Sequence, residues 1–224
     1  MHSEISGDAA RDELHEAVRV TLATGSAKVR YTMGADPPDL ADYAFGEGVT
    51  DFRARRARVA YIGTCNSATG WPPELVEQVT DGHVTYVRLG GPSGEWVELE
   101  LGAPREIGAS GDAGGFLELL EAPGAVARLD TEERFDDKPG RRYSLVIDPP
   151  RSSLRERLAD ALGVRGPSRF WLDAWTDSAG RIRRIAACDH APNPDGTLPR
   201  GAVCTIVDFS DFGVSAPVAV PPDC

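Results

Sequence analysis

The sequence predicts an α+β protein: one curved, mostly antiparallel sheet with its helices segregated to one side. Short runs of alternating apolar and polar residues follow one another in hairpin order, separated by turn signals. Counting these runs gives roughly eight to ten strands, two long helices and one short helix. No repeat with a period of about 20 to 50 residues underlies the series, and no low-complexity linker divides it. The chain is accordingly expected to form a flexible N-terminal segment over residues 1–12 and a single domain over residues 13–224.

Residues 8–23, DAARDELHEAVRVTLA, place Leu14, Val18 and Leu22 at i, i+4 and i+8 with charges between them, and Gly25 follows as a stop. That is an amphipathic helix. In SAKVRYTMG, Ala27, Val29, Tyr31 and Met33 alternate with Lys28, Arg30 and Thr32, the period of a half-buried strand. After the Pro-rich ADPPDLADYAFGEG, residues 49–63 read as extended, with Val59 and Tyr61 on one face. The alternation breaks within RARRAR, which predicts a bulge or bend in that strand. Asp81-Gly82 between two β-prone runs is a hairpin signal. EWVELELG follows as a strand with Val97, Leu99 and Leu101 opposite Glu98 and Glu100.

GDAGGFLELLEAPG, residues 111–124, reads as a short helix carrying Phe116, Leu117 and Leu120 and closed by Pro123-Gly124. RLDTEERFDDKPGRRYSLVID reads as a second hairpin with DDKPG at its turn. In PPRSSLRERLADALG, Ser153 and Glu156 form a capping box ahead of Leu154, Leu158 and Leu162 at helical spacing. The last third predicts a strand, a turn at DSAG, a second strand, a longer loop and a final strand.

With 224 residues and 41% hydrophobic content, the chain can bury a genuine core. Its formal net charge of -11 and pI near 4.8 argue against general affinity for nucleic acid or anionic membranes, because phosphate repels an acidic surface. Residues 1–18 carry no basic, apolar or small-residue regions of a signal peptide. No stretch approaches the roughly 18 apolar residues that span a bilayer as a helix.

Catalytic signatures are missing. The sequence holds no GxSxG elbow, P-loop, GxGxxG fingerprint or HExxH pair. His2, His15 and His83 fall in the tail, on a solvated helix face and after a turn, and His190 sits in a loop whose Asp, Asn and Pro residues serve turn formation. Glu132-Glu133 and Asp136-Asp137 are sequence neighbours, which point apart on a strand. Arg53, Arg55, Arg56 and Arg58 cluster without interleaved aromatics, so they are expected to pair with carboxylates on neighbouring strands rather than with nucleic acid. Cys65, Cys188, Cys204 and Cys224 show no CxxC spacing. Cys188 and Cys204 lie in consecutive extended segments, either as a cross-strand disulfide if the register places them opposite or as buried thiols. No catalytic residue, metal or cofactor is expected.

A curved sheet incompletely covered by helices encloses either an apolar cavity or a solid core, and periodicity alone does not separate the two. The series GEGVTDFRARRARV, DGHVTYVRL, EWVELEL, FLELLEAPG, DTEERFDDKPGRRYSLVID and FWLDAWTDSAGRIRRI through CTIVDFSDFGVSAPVAVPP resembles, in its serial order, the LolA-like fold of actinobacterial LppX- and LprG-type lipoproteins. The resemblance covers nearly the whole chain. It implies a half-open β-barrel whose concave side is covered by helices and holds the acyl chains of a lipid, glycolipid or lipoprotein, without catalysis. It also implies a cell-envelope, extracytoplasmic protein. Family members carry a leader ending in a lipobox cysteine; either that leader precedes this start, with MHSEISGDAARDE as its tether, or the chain is a soluble relative, and the first is the expectation.

The expected wall of the cavity consists of Val29, Tyr31, Met33, Val59, Tyr61, Tyr86, Val97, Leu99 and Leu101, completed by Leu145, Ile147, Phe170 and Leu172. Phe116 and Leu120 would cover the mouth. Burying an acyl chain contributes about 0.8 kcal/mol per CH2, so specificity falls to a few polar groups at the mouth. The alternative is an envelope sensory or protein-binding module on the same fold, with a filled core and a protein partner instead of a lipid.

Overall fold

The computed structural model describes residues 4–35, 44–63, 75–82, 84–88, 93–99, 113–121, 124–129, 134–135, 138–147, 170–188, 190–191 and 202–221. Within them the elements run β1 (Glu4–Ser6), α1 (Asp8–Ala23), β2 (Ser26–Ala35), β3 (Ala44–Asp51), β4 (Arg56–Gly63), β5 (Leu75–Asp81), β6 (Val84–Arg88), β7 (Trp96–Leu99) and α2 (Ala113–Leu119). They continue with β8 (Gly124–Leu129), β9 (Arg134–Phe135), β10 (Lys138–Pro139), β11 (Arg141–Ile147), β12 (Phe170–Thr176), β13 (Ile182–Cys188) and β14 (Val203–Ser210). The helix expected from Ser153, Leu154, Glu156, Leu158 and Leu162 lies outside the described residues, as do His2, Cys65, His83 and Cys224.

Twelve strands form one sheet in the order β1-β8-β11-β12-β13-β14-β2-β3-β4-β5-β6-β7, and every neighbouring pair is antiparallel. The sheet is not closed: β1 and β7 end it as separate edges, the arrangement of a curved half-open barrel. Two meanders, β2 to β7 and β11 to β14, are welded by the long-range pair β14–β2, in which Phe209 faces Val29 and Val207 faces Tyr31. Residues 4–6, expected in a flexible tether, instead form β1 on the edge of β8, with Ile5 opposite Arg128. α1 then begins at once.

The hydrophobic period of α1 buries Ala10, Leu14, Ala17, Val18 and Thr21 against the sheet. Thr21 fixes the helix in place: its Oγ1 donates to Ala17 O (2.7 Å) and accepts from Ile182 N–H (2.8 Å). Ile182 stands where the β12–β13 register slips beside Thr176, so the hydroxyl supplies a partner at the irregular end of the ladder. Gly25, at φ 83°, ends the helix and donates to Leu22 O (3.0 Å). His15, expected on a solvated face, is half-buried instead, with its Nε2 shielded from water.

The segment DFRARRARV is a hairpin turn, not one bent strand. Asp51 pairs with Arg56, and residues 52–55 form the loop between β3 and β4. The Asp51 carboxylate accepts from the N–H groups of Arg53 and Ala54 (both 2.9 Å), and Arg55 adopts φ 55°. Asp carboxylates that cap their own turn in this way compete with strand continuation. The next hairpin pairs Asp81 with Val84, and Gly82 sits at φ 60°. β8 and β11 pair directly, Leu129 opposite Arg142, while β9 and β10 form a small separate two-stranded sheet.

On the outer face, Arg56 grips Asp81 (2.8 and 3.2 Å) and Arg184 grips Asp208 (2.6 and 3.0 Å), both bidentate and in register. Glu77 takes both Arg58 and Arg88, and Asp173 takes Arg142 and Ser144. Of the clustered arginines, Arg56 and Arg58 thus pair with carboxylates on the neighbouring strand, each pair contributing about 0–1 kcal/mol where it faces water. Cys188 and Cys204 stand opposite each other on β13 and β14, Cα atoms 4.3 Å apart, and are joined by a disulfide.

Candidate ligand-binding face

Residues directly opposite in an antiparallel pair share a face, so the register alone assigns the inner wall. One row runs Tyr143, Ala174, Ile185, Val207, Tyr31, Gly46, Tyr61 and Val76 from β11 to β5. A second runs Phe209, Val29, Gly48, Val59, Gln78, Val87 and Val97 from β14 to β7. Nearest the β3–β4 turn, Ala27, Thr50, Ala57, Thr80, Thr85 and Leu99 form a third.

The two halves of this face differ. On β11–β14 and β2 it is mostly apolar, with Thr205 as a buried exception, and α1 seals it through Thr21 on β13 and through Glu13, which accepts from the Tyr143 hydroxyl (3.2 Å). On β3–β7 it bears no side chain at Gly46 and Gly48, then turns polar at Gln78, Thr80 and Thr85. α2 stands over the middle. Phe116 meets Tyr31 edge-on with ring centroids 6.4 Å apart, and Glu118 pairs with Arg55 of the β3–β4 turn (2.7 Å).

Val29, Tyr31, Val59, Phe116, Leu120, Leu145, Ile147 and Leu172 all lie buried in one hydrophobic cluster with Leu14, Val18 and Phe209. One expected wall residue faces the other way, and one stands open at the edge. Tyr86 faces Val79 and Glu98, which puts it on the outer side, half-buried; Val87 takes the inner position, because "VTYVR" is apolar on both faces and pairing decides between them. Val97 has the inner register but is 54% exposed, since it stands on the edge strand β7 with a neighbour on only one side. The backbones of Met33, Tyr61, Leu99 and Phe170 occupy inner register positions opposite Thr205, Gly46, Thr85 and Ile147, while their side chains lie outside the described residues, as does Leu101 altogether.

Sequence reasoning missed Val87, Gln78, Thr80 and Thr85. Gln78 and Thr80 follow Val76 at a spacing of two within LVEQVTD, so the period was available; the polar side chains disguised it.

A groove of about 530 Å³ opens between α1 and the β12–β13 turn, lined among others by Glu13, Glu16, Val20, Arg141, Tyr143 and Asp177. Its polar groups satisfy one another. Glu13 also meets Arg141 (3.5 Å), and Asp177 binds the Arg181 guanidinium (2.7 and 2.9 Å) and the N–H groups of Ala179 and Arg181 (2.9 and 3.0 Å). Burial pushes the Tyr143 hydroxyl above the ordinary phenol value, with Arg141 opposing and Glu13 reinforcing, which keeps it a neutral donor. Among the described residues no group of three His, Cys, Asp or Glu side chains is placed to hold a metal ion. No helix among them is long and apolar enough to cross a membrane.

No protein-family sequence model matches the chain, and no curated protein sequence matches it. Solved structures do. Lipoprotein LppX of Mycobacterium tuberculosis superposes with a TM-score of 0.55 at 13% identity, over 94% of this chain and 98% of that one. LprF from Mycobacterium bovis gives a TM-score of 0.55 at 12% identity, over 96% and 98%. The chain has the LppX-type, LolA-like fold.

Proposed function

We propose that the protein is a non-catalytic carrier of an amphiphilic ligand in the cell envelope, outside the cytoplasm. The acyl part of that ligand lies on the inner face of β3–β7 rather than beneath α1. The observation that carries this reading is the contrast within one wall: the α1-covered half is packed shut, whereas the other half combines buried Val59 and Val87 with an open Val97 and a polar row. Each CH2 removed from water there adds about 0.8 kcal/mol, before the entropy lost on binding is subtracted. The likeness in fold to two lipoproteins supports an envelope location, and so does the Cys188–Cys204 disulfide, because such bonds persist in oxidising compartments.

Val97→Glu tests the reading without threatening the fold, since an exposed carboxylate is hydrated in the apo protein. Wild-type protein should enhance the fluorescence of 1-N-phenylnaphthylamine, and the variant should lose most of that enhancement with an unchanged circular dichroism spectrum. Equal binding by both proteins would remove β7 from the wall.

A second reading, a protein-binding module with a filled core, draws support from the nearly complete burial of Leu14, Tyr31, Leu145, Ile147, Ile185 and Phe209 in one cluster. It predicts no binding of any apolar probe.

A further inference from the structure

The inner face of β5 and β6 carries buried hydrogen-bonding groups that no described residue engages. Gln78 is 3% exposed and Thr80 5%, and neither the Gln78 Nε2 nor the Thr80 Oγ1 has a hydrogen-bond partner among the described residues. Gln78 is flanked across the sheet by Val59 and Val87, members of the same hydrophobic cluster as Phe116 and Leu117 of α2. Thr80 is flanked by Ala57 and by Thr85, itself buried. Leaving a buried donor unmade is costly, whereas a leucine or valine of similar shape would carry no such cost. Set between Ala57, Val59 and Val87, they are suited to a partner that the described residues do not supply.

The chemistry of that partner follows from its surroundings. A free amide N–H and a hydroxyl offer hydrogen bonds to an acceptor oxygen. The cations of these strands, Arg56, Arg58 and Arg88, engage Asp81 and Glu77, and Arg56 and Arg58 alternate along β4 with the inward-facing Ala57 and Val59. Nothing on the inner face of β4–β6 among the described residues offsets the desolvation of an anion, so a phosphate placed there would be buried unpaired.

We propose that Gln78 and Thr80, with Thr85 beside them, form the specificity subsite of the inner face, and that they receive uncharged oxygens, the ester carbonyl or hydroxyl groups of a neutral acylated ligand. The subsite is closed in the unliganded protein and is reached when the cover formed by α2 shifts. α2 is suited to that shift: it has seven residues, two of them glycine, and an exposed ion pair between Glu118 and Arg55 ties it to the sheet. This inference rests on the carrier reading, and the experiment separates the two.

The protein is incubated with vesicles containing equal amounts of dioleoylglycerol and dioleoylphosphatidylglycerol, and native mass spectrometry reads what it retains. Wild-type protein should hold dioleoylglycerol in preference. Gln78→Leu should lower dioleoylglycerol occupancy about tenfold, the scale of one buried hydrogen bond, keep the wild-type circular dichroism spectrum, and raise the apo melting temperature. Thr80→Val should act in the same direction. Unchanged dioleoylglycerol occupancy in both variants overturns the subsite and leaves the carrier. A wild-type preference for the phospholipid overturns the neutral chemistry assigned here. Failure of both variants to fold makes the two groups structural and overturns the proposal, and a wild-type protein that retains neither lipid nor probe overturns the carrier reading with it.

Discussion

Thr21 shows how one hydroxyl joins a helix to a sheet. It is fully buried and serves Ala17 O and Ile182 N–H at once, so Thr21→Val keeps the volume and orphans the Ile182 donor beside the register slip. The expected loss is about 1–3 kcal/mol, measured as the shift of a urea unfolding midpoint; a change within a few tenths would show that the β13 terminus relaxes. Asp177 gives a pH signature. Burial works against its charge, but the Arg181 guanidinium and the N–H groups of Arg181 and Ala179 prevail and hold its pKa below the ordinary 3.8. A lowered folded pKa means stabilisation that is complete above the unfolded value and is lost as pH falls through the folded one. Asp177→Asn should therefore be less stable than wild type at pH 7, with the gap narrowing below about pH 4; a gap independent of pH would contradict this. Alternation in the sequence located Val29, Tyr31 and Val59 on the buried face, because the opposite side of their runs carries Lys28, Arg30, Arg56 and Arg58. It misassigned Tyr86, because β6 is apolar on both sides and only its partners β5 and β7 fix which side turns inward.

Among the elements, α1 and the 81–84 hairpin were legible because their signals are local: a 3.6-residue apolar period ended by glycine, and an Asp-Gly pair between β-prone runs. The β3–β4 hairpin was not. Its loop carries Arg53, Ala54 and Arg55 in place of glycine or asparagine, and only the Asp51 carboxylate betrays the turn. The β13–β14 pair is the element whose stability is most easily switched. Its disulfide spans a sequence separation of 16 residues, and cross-links of this span contribute about 2–4 kcal/mol. Adding reductant should lower the wild-type melting temperature and leave the Cys188→Ser, Cys204→Ser double variant unaffected. Equal responses of the two proteins would mean that the bond adds no stability.

At the scale of the whole molecule, hairpin order alone predicted the antiparallel sheet, since each meander follows the chain. The weld between β14 and β2, which joins two residues as distant as Phe209 and Val29, and the return of β1 to the edge of β8 have no local signature and arise from tertiary burial. The same is true of the division of the inner face into a half packed under α1 and a half that carries Gln78, Thr80 and Thr85 and ends at the exposed Val97, which depends on where α1 and α2 settle. Carriage of a ligand on that second half is the central claim, and native mass spectrometry of the purified protein, followed by solvent extraction of whatever is released, tests it most directly. The account predicts a stoichiometric mass excess that resolves into an acylated lipid. A clean apo mass that persists after incubation with lipid vesicles would contradict it and leave the partner-binding module as the better reading.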